Sequence, residues 1–437
     1  EGHSRQAMVS VAIISNEPTP YRLHVLSRLT AELPEVNIDN LFTHTISNPS
    51  MPWQMRLGSD LRAVFSQRYH LRSTRPISRN SIPLYRFLKG YVTEHDIRLI
   101  ILLGYNDLTR LLLMRWAAQE GIPIVLTADS NVFGEGRVPR LTHFVKRRYV
   151  RWVLGRVSAL MPMGTCGRAF FRLYRDHNLP EFLFPYEPDY AGLSHPDQSD
   201  LVAFRGAKGL FPNRRRMLYC GRLISIKRVD VLIDAFVKIA SARPDWDLVI
   251  AGTGPMEAEL KERVPAWLRE RVIWLGFLQF DQTALCYHSC HVLVHPSEFE
   301  PWGLVINEAT YCGLAIITTP VVGAAVELVK HRLNGMIVPP RNVDALAEAM
   351  TEVAQEGVWQ EMGRQSTRMI ADWRRCADPV EGMRQALRQF GLVTNAPAFA
   401  VSSAPVAPQT AGPVISMAAP IEMPEARVSE RVEVEVK

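Results

Sequence analysis

Short apolar runs alternate with amphipathic segments along most of the chain, in two successive series. Apolar runs of this length, separated by segments with helical periodicity, are typical of parallel strands covered by helices. The runs of the first series are 9–15, 37–43, 97–103, 122–127 and 158–163. Those of the second series are 216–220, 247–251, 272–275, 291–294, 315–318 and 335–338. Two such series predict two doubly wound α/β domains.

The length of 437 residues suits two domains of about 180 residues with additional segments. We predict a first domain over 8–200 and a second over 213–375, with a charged, loop-like linker over 193–212. Residues 45–82 lack a clear pattern and are expected to form an irregular excursion. From 393 to 437 the chain is rich in Ala, Pro, Val and Ser without periodicity, which predicts a disordered tail.

The composition places the chain among globular proteins, because 47% of its residues are hydrophobic. No apolar run approaches the roughly 18 residues that a membrane-spanning helix needs. Residues 1–7 lack the apolar core of a signal peptide, so we expect Met8 to be the natural start. Six scattered cysteines indicate free thiols and a cytoplasmic location. Cys286 and Cys290 share a helix face, but no second ligand pair accompanies them, which favours packing over a metal site.

Positive charge is concentrated in one segment of a chain whose net charge is +6. Residues 137–175 contain ten basic residues and no Asp or Glu. These basic residues are Arg137, Arg140, Lys146, Arg147, Arg148, Arg151, Arg156, Arg168, Arg172 and Arg175. Aromatic interleaving is sparse and no nucleic-acid motif is present, so an anionic membrane surface is the favoured partner and nucleic acid is not expected. A solvated basic face is the alternative interpretation.

Ligands of open parallel sheets bind outside the carboxyl ends of the strands, so the loops at these ends are the places to search. After the first strand of the second series, Gly221-Arg222 is followed five residues later by Lys227. This spacing brings two cations of one loop toward one anion. After the second strand, the turn Gly252-Thr253-Gly254 lacks the third glycine and the downstream acid of a dinucleotide site. After the third, Gly276-Phe277 offers backbone groups and an apolar wall to a flat base.

The fourth loop belongs to the stretch 295–313, which carries two carboxylates eight residues apart. Glu300 lies in the loop, and Glu308 lies about two turns into an apolar helix whose N-terminus is predicted at Trp302 to Val305. The helix N-terminus directs backbone N–H groups toward the loop, which favours an anion. Together these groups suit a diphosphate joined to polyhydroxyl groups. Glycosidase chemistry is a rival, but Glu308 within an apolar helix is better suited to binding hydroxyls.

Several motifs of the second half resemble the donor domain of family 4 (group 1) retaining glycosyltransferases, which have the GT-B fold. These motifs are Pro296-Ser-Glu-Phe-Glu300-Pro-Trp-Gly-Leu304, Glu308-Ala309, Cys312-Gly313, Gly221-Arg-Leu-Ile-Ser-Ile-Lys227, 321–327 and Asn334-Gly335. Segments of the first half are similar to members that assemble polysaccharide and lipopolysaccharide. These segments are 16–22, 121–126, Asp129-Ser130, Gly164-Thr165 and 184–186.

The resemblance implies a metal-independent, retaining hexosyltransferase without cofactor, whose donor is a nucleotide diphosphate sugar. Two Rossmann-like domains would face a central cleft, and a helix within 376–392 would cross back to the first domain. Arg222 and Lys227 would neutralise the diphosphate and Glu300 would hold the sugar, as the catalytic set. The remaining donor-binding residues implied are Gly221, Gly276, Phe277, Gly303 and Leu304, with Glu308 on the ribose.

The acceptor implied by the resemblance is a glycan or a lipid-linked sugar, bound by the first domain. The basic run 137–175 adds the expectation of a peripheral location at the inner face of the cell membrane. Trp302 replaces the usual Phe, and Ala324-Ala325 stand where the family often has Gly and Pro. Two alternatives stay open at this point. One is a sugar-nucleotide epimerase of the same fold, which needs an acid/base pair facing the sugar. The other is a non-catalytic adaptor at a membrane surface.

Overall fold

The computed structural model describes residues 8–44, 61–66, 71, 76–137, 140–174 and 178–393. Most of the stretch predicted to be irregular, and the predicted tail beyond Val393, lie outside these residues. Within them, no helix combines the length and the hydropathy that crossing a bilayer requires.

The first sheet is parallel and has the strand order β3-β2-β1-β4-β5-β6. Its strands are β1 (Val9–Ser15), β2 (Val36–Phe42), β3 (Ala63–Phe65), β4 (Ile97–Leu103), β5 (Ile124–Ala128) and β6 (Ala159–Pro162). The helices of this half are α1 (Pro20–Glu32), α2 (Ser81–Glu94), α3 (Leu108–Glu120), α4 (Arg140–Leu154) and α5 (Thr165–Tyr174). A 3₁₀ turn covers Val132–Arg137.

The second sheet is also parallel, in the order β12-β11-β10-β7-β8-β9. Its strands are β7 (Arg215–Cys220), β8 (Trp246–Ala251), β9 (Val272–Gly276), β10 (Val292–His295), β11 (Ala315–Thr318) and β12 (Gly335–Ile337). The helices are α6 (Gln198–Ala207), α7 (Val229–Ile239), α8 (Glu257–Arg263), α9 (Phe280–Tyr287), α10 (Leu304–Tyr311), α11 (Gly323–Leu328), α12 (Val343–Val353), α13 (Val358–Cys376) and α14 (Pro379–Gln389). Two 3₁₀ turns cover Ser225–Lys227 and Ala266–Arg271.

The central strands are largely apolar, as expected for sheets that helices cover on both faces. In β7, for example, Met217 and Tyr219 belong to one buried cluster and Leu218 to the cluster on the opposite face. Successive side chains of a strand point to opposite faces, so a strand buried on both sides needs an uninterrupted apolar run. This explains why the strands were readily recognised from the sequence, and the two parallel sheets confirm the predicted fold class.

The two sheets share one topology, since each strand order corresponds to 3-2-1-4-5-6 counted within its own half. In such a sheet there is one point at which the connections from two neighbouring strands lead in opposite directions along the sheet. A crevice opens at this point, outside the carboxyl ends of the two strands. The reversal falls between β1 and β4 in the first sheet, and between β7 and β10 in the second. The loops after these four strands are therefore placed at the two crevices.

Three local predictions were wrong. The stretch predicted as a loop-like linker contains α6, because Leu201 and Phe204 are buried and offset the local charge. The stretch predicted to be irregular contains β3, a short edge strand whose three residues are only partly buried. The helix of the 295–313 stretch begins at Leu304, within the predicted start at 302–305, after a left-handed Gly303 (φ +91°), so Glu308 lies about one turn into the helix and not about two.

Helix α14 packs on the first sheet's core, although it follows the second sheet in the chain. Val380, Met383 and Leu387 join the buried cluster that contains Leu29 of α1. Gly382 permits the approach, since a Cβ at this position would lie 1.9 Å from the Leu183 carbonyl oxygen. The described part of the chain forms one compact unit by its contacts, so the domain bounds stay a prediction.

Candidate functional site

The crevice of the second sheet is occupied by an ion pair between the loops that follow β7 and β10. The Lys227 ammonium contacts the Glu300 carboxylate directly. Both side chains are largely shielded from solvent, with exposed fractions of 12% and 17%. The two loops lie side by side because β7 and β10 are neighbours at the topological switch point. The structure therefore brings together two of the three residues predicted to be catalytic.

His295, at the end of β10, forms the floor beneath this pair. Its Nε2 lies 3.6 Å from the Glu300 carboxylate and 3.2 Å from the Ser297 hydroxyl. Burial, and secondly the nearby Lys227, hold the pKa of His295 well below its usual range. The ring is therefore neutral at pH 7, and it helps to position the Glu300 carboxylate without adding a charge. The turn is anchored by Thr319, whose hydroxyl donates to the Ser297 carbonyl oxygen at 2.6 Å.

The charge on Lys227 is sensitive to its surroundings. Burial and the neighbouring Arg222 guanidinium lower the pKa of Lys227 to about 8, while the Glu300 carboxylate beside it acts in the opposite direction. Arg222 itself is exposed and extends from the same loop. An anion placed between these two cations would relieve their repulsion, so the site is electrostatically prepared for a group with more than one negative charge.

The β7 loop owes its shape to two glycines of the next loop. A Cβ at Gly252 would lie 1.9 Å from the Gly221 carbonyl oxygen, and one at Gly254 would lie 2.3 Å from that of Leu223. The Leu223 amide donates to the Thr253 carbonyl oxygen at 2.9 Å, which fastens the two loops together. Close packing of backbones therefore explains the glycine turn after β8, without a dinucleotide.

Two further glycines shape the Glu300 loop. A Cβ at Gly303 would lie 2.9 Å from Val322 and 3.0 Å from Glu300, and one at Gly323 would lie 2.1 Å from the Pro301 carbonyl oxygen. The Gly323 amide donates to the Glu300 carbonyl oxygen at 3.1 Å, so the start of α11 holds the loop. Gly303 and Leu304 stand at the start of α10, shortly after Glu300, and their predicted role in capping an anion stays a prediction.

Glu308 lies on α10, away from the ion pair, and accepts a hydrogen bond from the Tyr287 hydroxyl at 2.6 Å. Burial raises the pKa of Glu308 to about 7, and the hydrogen bond from Tyr287 opposes this effect. A carboxylate with this pKa gains from additional hydroxyl donors, because they stabilise its charged form. Gly276 and the half-buried Phe277 follow β9, and the Gly276 carbonyl oxygen accepts from the Gly252 amide at 2.8 Å.

Side chains and amides of the first half reach this site, and two of its hydrogen bonds lie beside the Glu300 loop. Asn131, after β5, donates from its side chain to the Pro301 carbonyl oxygen at 3.1 Å. The Thr165 amide, at the start of α5, donates to a Glu327 carboxylate oxygen at 2.6 Å. Glu327 thereby caps the N-terminus of a helix from the other half, a favourable place for a negative charge. The site therefore lies where the two halves meet.

Sequence reasoning missed the supporting residues of the site. His295, Ser297 and Glu327 stand within quoted motifs, but no spacing rule distinguishes a residue that touches Glu300 from one that packs in the core. The contact between Asn131 and Pro301 joins positions 170 residues apart, and no local pattern encodes it. The roles assigned to Arg222, Lys227, Glu300 and the donor-binding residues stay predictions.

The described residues contain no group of three or more His, Cys, Asp or Glu side chains arranged to hold a metal ion. All six cysteines are free thiols. Cys286 and Cys290 form a hydrogen-bonded pair within the core beside α9, in line with the packing interpretation. Metal independence of the reaction stays a prediction.

Comparison with known proteins supports the resemblance. Residues 203–369 match the family model described as Glycosyl transferases group 1. Over 161 residues the chain is 34% identical to an uncharacterized glycosyltransferase of Methanocaldococcus jannaschii, covering 37% of this chain and 41% of that one. Over 158 residues it is 32% identical to the lipopolysaccharide core biosynthesis mannosyltransferase LpsB of Rhizobium meliloti, covering 34% and 44%. The chain thus spans about two fifths of the length of these relatives.

Among solved structures, Anabaena HepE, determined in complex with UDP and glucose, resembles this chain with a TM-score of 0.65 at 18% identity. The match covers 88% of this chain and 100% of HepE. At this identity the likeness establishes the fold, which is GT-B. The match runs through both halves, so the first half shares the architecture even though its sequence signal is weak.

The hydrogen bond between Tyr287 and Glu308 generates a direct test. Replacing Tyr287 with Phe removes a donor that stabilises the ionised carboxylate, so the pKa of Glu308 should rise above its value of about 7. Carbon-13 NMR of the glutamate carboxyls over a pH titration measures this. Tyr311→Phe, a change on α10 itself, is the control and should leave the titration unchanged. A Glu308 pKa that stays constant or falls in Tyr287→Phe contradicts the assignment.

Proposed function

We propose that this chain, which belongs to the group 1 glycosyltransferases through its residues 203–369, transfers a hexosyl residue from a nucleoside diphosphate sugar to a glycan or lipid-linked acceptor. The observation that carries the proposal is the shielded contact of Lys227 with Glu300 at the switch point, with Arg222 in the same loop. Two cations and a hydroxyl-binding carboxylate at one crevice match the chemistry of a diphosphate attached to a sugar.

The donor would replace the internal ion pair with new partners. Its diphosphate would lie between Arg222 and Lys227, against the first turn of α10. Glu300, released from Lys227, would accept hydrogen bonds from the sugar hydroxyls. Glu308 would accept from the ribose hydroxyls, and Gly221, Gly276 and Phe277 would line the nucleotide. HepE was solved with UDP and glucose, which supports a uridine nucleotide as the first donor to test.

In the proposed reaction the bond between the anomeric carbon and the diphosphate oxygen breaks, and a bond to the acceptor oxygen forms. The acceptor proton moves to the departing diphosphate on the same face of the sugar, which retains the anomeric configuration without a protein nucleophile. Negative charge grows on the diphosphate as the old bond lengthens. Arg222, Lys227 and the helix end are positioned to stabilise that charge, which is the task that dominates such catalysis.

The two alternatives are not favoured by the comparisons, whose relatives are named glycosyltransferases. An epimerase needs an acid/base pair facing the sugar, whereas His295 is held neutral beneath Glu300 and Lys227 is committed to an anion. An adaptor without activity has no need of a shielded ion pair at the switch point. Similarity to LpsB supports an acceptor in cell-surface polysaccharide assembly.

We also propose that α4 binds an anionic membrane surface in the cytoplasm, where a lipid-linked acceptor would be presented. Helix α4 exposes two large apolar side chains, since Phe144 and Val145 are 67% and 66% exposed. Arg147, Arg148 and Arg151 are exposed on the same helix. Exposed apolar side chains flanked by arginines suit insertion at a headgroup interface.

Lys227 provides the test of catalysis. In Lys227→Ala the diphosphate loses a charge partner, so turnover of the best nucleotide sugar should fall on the order of 10²–10³-fold with little change in sugar preference. Released nucleoside diphosphate, measured across UDP-, GDP- and ADP-sugars, reports this. Lys238→Ala removes an exposed lysine paired with Asp344 and is the control, expected to retain full turnover. Near-normal turnover in Lys227→Ala refutes the assignment.

Vesicle binding tests the membrane proposal. Each basic residue near an anionic surface contributes about 1 kcal/mol, so replacing both Arg147 and Arg148 with Gln should weaken binding ~30-fold. Sedimentation with vesicles containing phosphatidylserine measures this at fixed ionic strength. The control replaces Arg332 and Arg364, two exposed arginines of the second half, with Gln. Equal loss in both double variants, or no binding by the unaltered protein, contradicts a specific role for α4.

A further inference from the structure

A cavity of about 180 Å³ lies at the crevice of the first sheet, between the loops that follow β1, β4 and β5. It occupies in this sheet the place that the ion pair of Lys227 and Glu300 occupies in the second. Its charged lining consists of Arg22, Arg110, Asp107 and Asp129, with Tyr105 and Tyr186 among its walls. None of these residues belongs to the donor site described above.

The two arginines of the cavity differ in how they are satisfied. Arg110 is buried and pairs with the Asp107 carboxylate, and it also donates to the side chain of Asn16 at 2.6 Å. Asp107 in turn caps α3 by accepting from the Arg110 amide at 3.0 Å. This set is internally neutral and fixes the floor of the cavity. Arg110 therefore has a structural role, and Asp107 balances its charge.

Arg22 has no carboxylate in direct contact within the described residues, although the more distant Glu17 carboxylate helps to raise its pKa. In the described part of the chain it donates to the Glu17 carbonyl oxygen and bonds to the Tyr186 hydroxyl, but it forms no ion pair there. Its guanidinium carbon lies 5.9 Å from the centre of the Tyr21 ring. Its Nε is buried without a hydrogen-bond partner, as is that of Arg110, so the two arginines differ in the missing ion pair. Arg22 thus places a full positive charge against the cavity with unused donor capacity.

Such an arrangement gains from a ligand that completes it. Arg22 is partly buried, and a buried donor without an acceptor is unfavourable, so an anion that accepts from the guanidinium would stabilise it. Guanidinium groups with free donors bind phosphate and carboxylate oxygens in bidentate geometry. The missing partner of Arg22 is therefore an oxyanion.

The position of the cavity indicates which substrate carries that oxyanion. Asn131 lies two residues after the cavity residue Asp129. Its side-chain amide donates to the carbonyl oxygen of Pro301, in the loop that follows β10, at 3.1 Å. On the other side, the Tyr149 hydroxyl of α4 donates to the carbonyl oxygen of Tyr105 in the cavity wall. The cavity therefore lies between the donor site and the helix proposed to face a membrane.

We propose that this cavity binds an oxyanionic acceptor, with Arg22 holding its phosphate or carboxylate group. The identification of the ligand as the acceptor rests on the proposed function, whereas the anion site does not depend on it. Asp129, exposed at the edge of the cavity, is an acceptor for hydroxyl groups next to the anion. A sugar phosphate and an acidic sugar share this chemistry, one as the end of a lipid carrier and the other as a unit of an acidic polysaccharide.

Calorimetric titration of the full chain with small probes tests the proposal. The probes are glucose 1-phosphate, glucuronate and neutral methyl glucoside, and the protein is first saturated with UDP so that the cations of the donor site are occupied. If UDP does not bind, the same titration is run on Lys227→Ala, which weakens the donor-site anion seat. Arg22→Gln is compared with Arg22→Lys, and with Arg243→Gln as a control that also removes an arginine donating to a backbone carbonyl.

We expect one of the charged probes to bind and methyl glucoside to bind at least tenfold more weakly. Arg22→Gln should lose at least tenfold of the charged probe's affinity, Arg22→Lys should recover part of it, and Arg243→Gln should lose none. UDP affinity should be equal in all of them, which separates this site from the donor site. Tighter binding of glucose 1-phosphate indicates a lipid phosphate as the source, and tighter binding of glucuronate indicates an acidic sugar.

Two outcomes overturn the proposal. One is charged-probe affinity in Arg22→Gln equal to that of the unaltered protein, and the other is methyl glucoside binding as tightly as the charged probes. Absence of any UDP binding, with the Arg22-dependent probe binding intact in Lys227→Ala, would instead count against the proposed donor and leave the anion site standing. Circular dichroism of Arg22→Gln and Arg22→Lys confirms that both variants are folded before they are compared.

Discussion

The contact between Lys227 and Glu300 is the interaction on which the site depends. A cation and an anion are held together, out of solvent, by two loops that meet only because β7 and β10 are neighbours at the switch point. Four glycines permit the backbone approaches that shape these loops, at positions 252, 254, 303 and 323. The pair places an anion beside a desolvated lysine, and in the proposed function a donor diphosphate would replace Glu300 as the partner of Lys227.

The first sheet repeats the same architecture with a different electrostatic outcome. Its crevice contains a neutralised arginine, Arg110, and an arginine without a carboxylate, Arg22. From this half, Asn131 donates a hydrogen bond to Pro301 in the loop after β10, and the Thr165 amide donates one to Glu327 of α11. One crevice thus contains its own ion pair, whereas the other contains an arginine that forms none within the described residues. Hydrogen bonds from the first half reach the loop after β10 and helix α11, so the two halves meet beside the ion pair.

Much of this arrangement was predictable from local patterns. Strands buried on both faces appear in the sequence as continuous apolar runs. Glycines and charged residues that follow such runs lie at the carboxyl edge of the sheet, and this rule places Arg222, Lys227 and Glu300 at that edge. Helix α6 was missed because its apolar positions, Leu201 and Phe204, are few among charges. The environment of Arg22 was not predictable, because it is set by Tyr186, which is distant in sequence and brought near only by the fold.

The exchange of Lys227 between Glu300 and a diphosphate is measured most directly by the affinity for UDP without sugar. At pH 6.5, where Lys227 is protonated, Glu300→Gln removes the internal competitor, so isothermal titration should show UDP binding at least about fivefold tighter, a gain of about 1 kcal/mol. Glu298→Gln, in the same loop but paired with Arg341, should leave the affinity unchanged. An equal or lower affinity in Glu300→Gln would contradict the account, because Lys227 would then not be the group that the diphosphate displaces from Glu300.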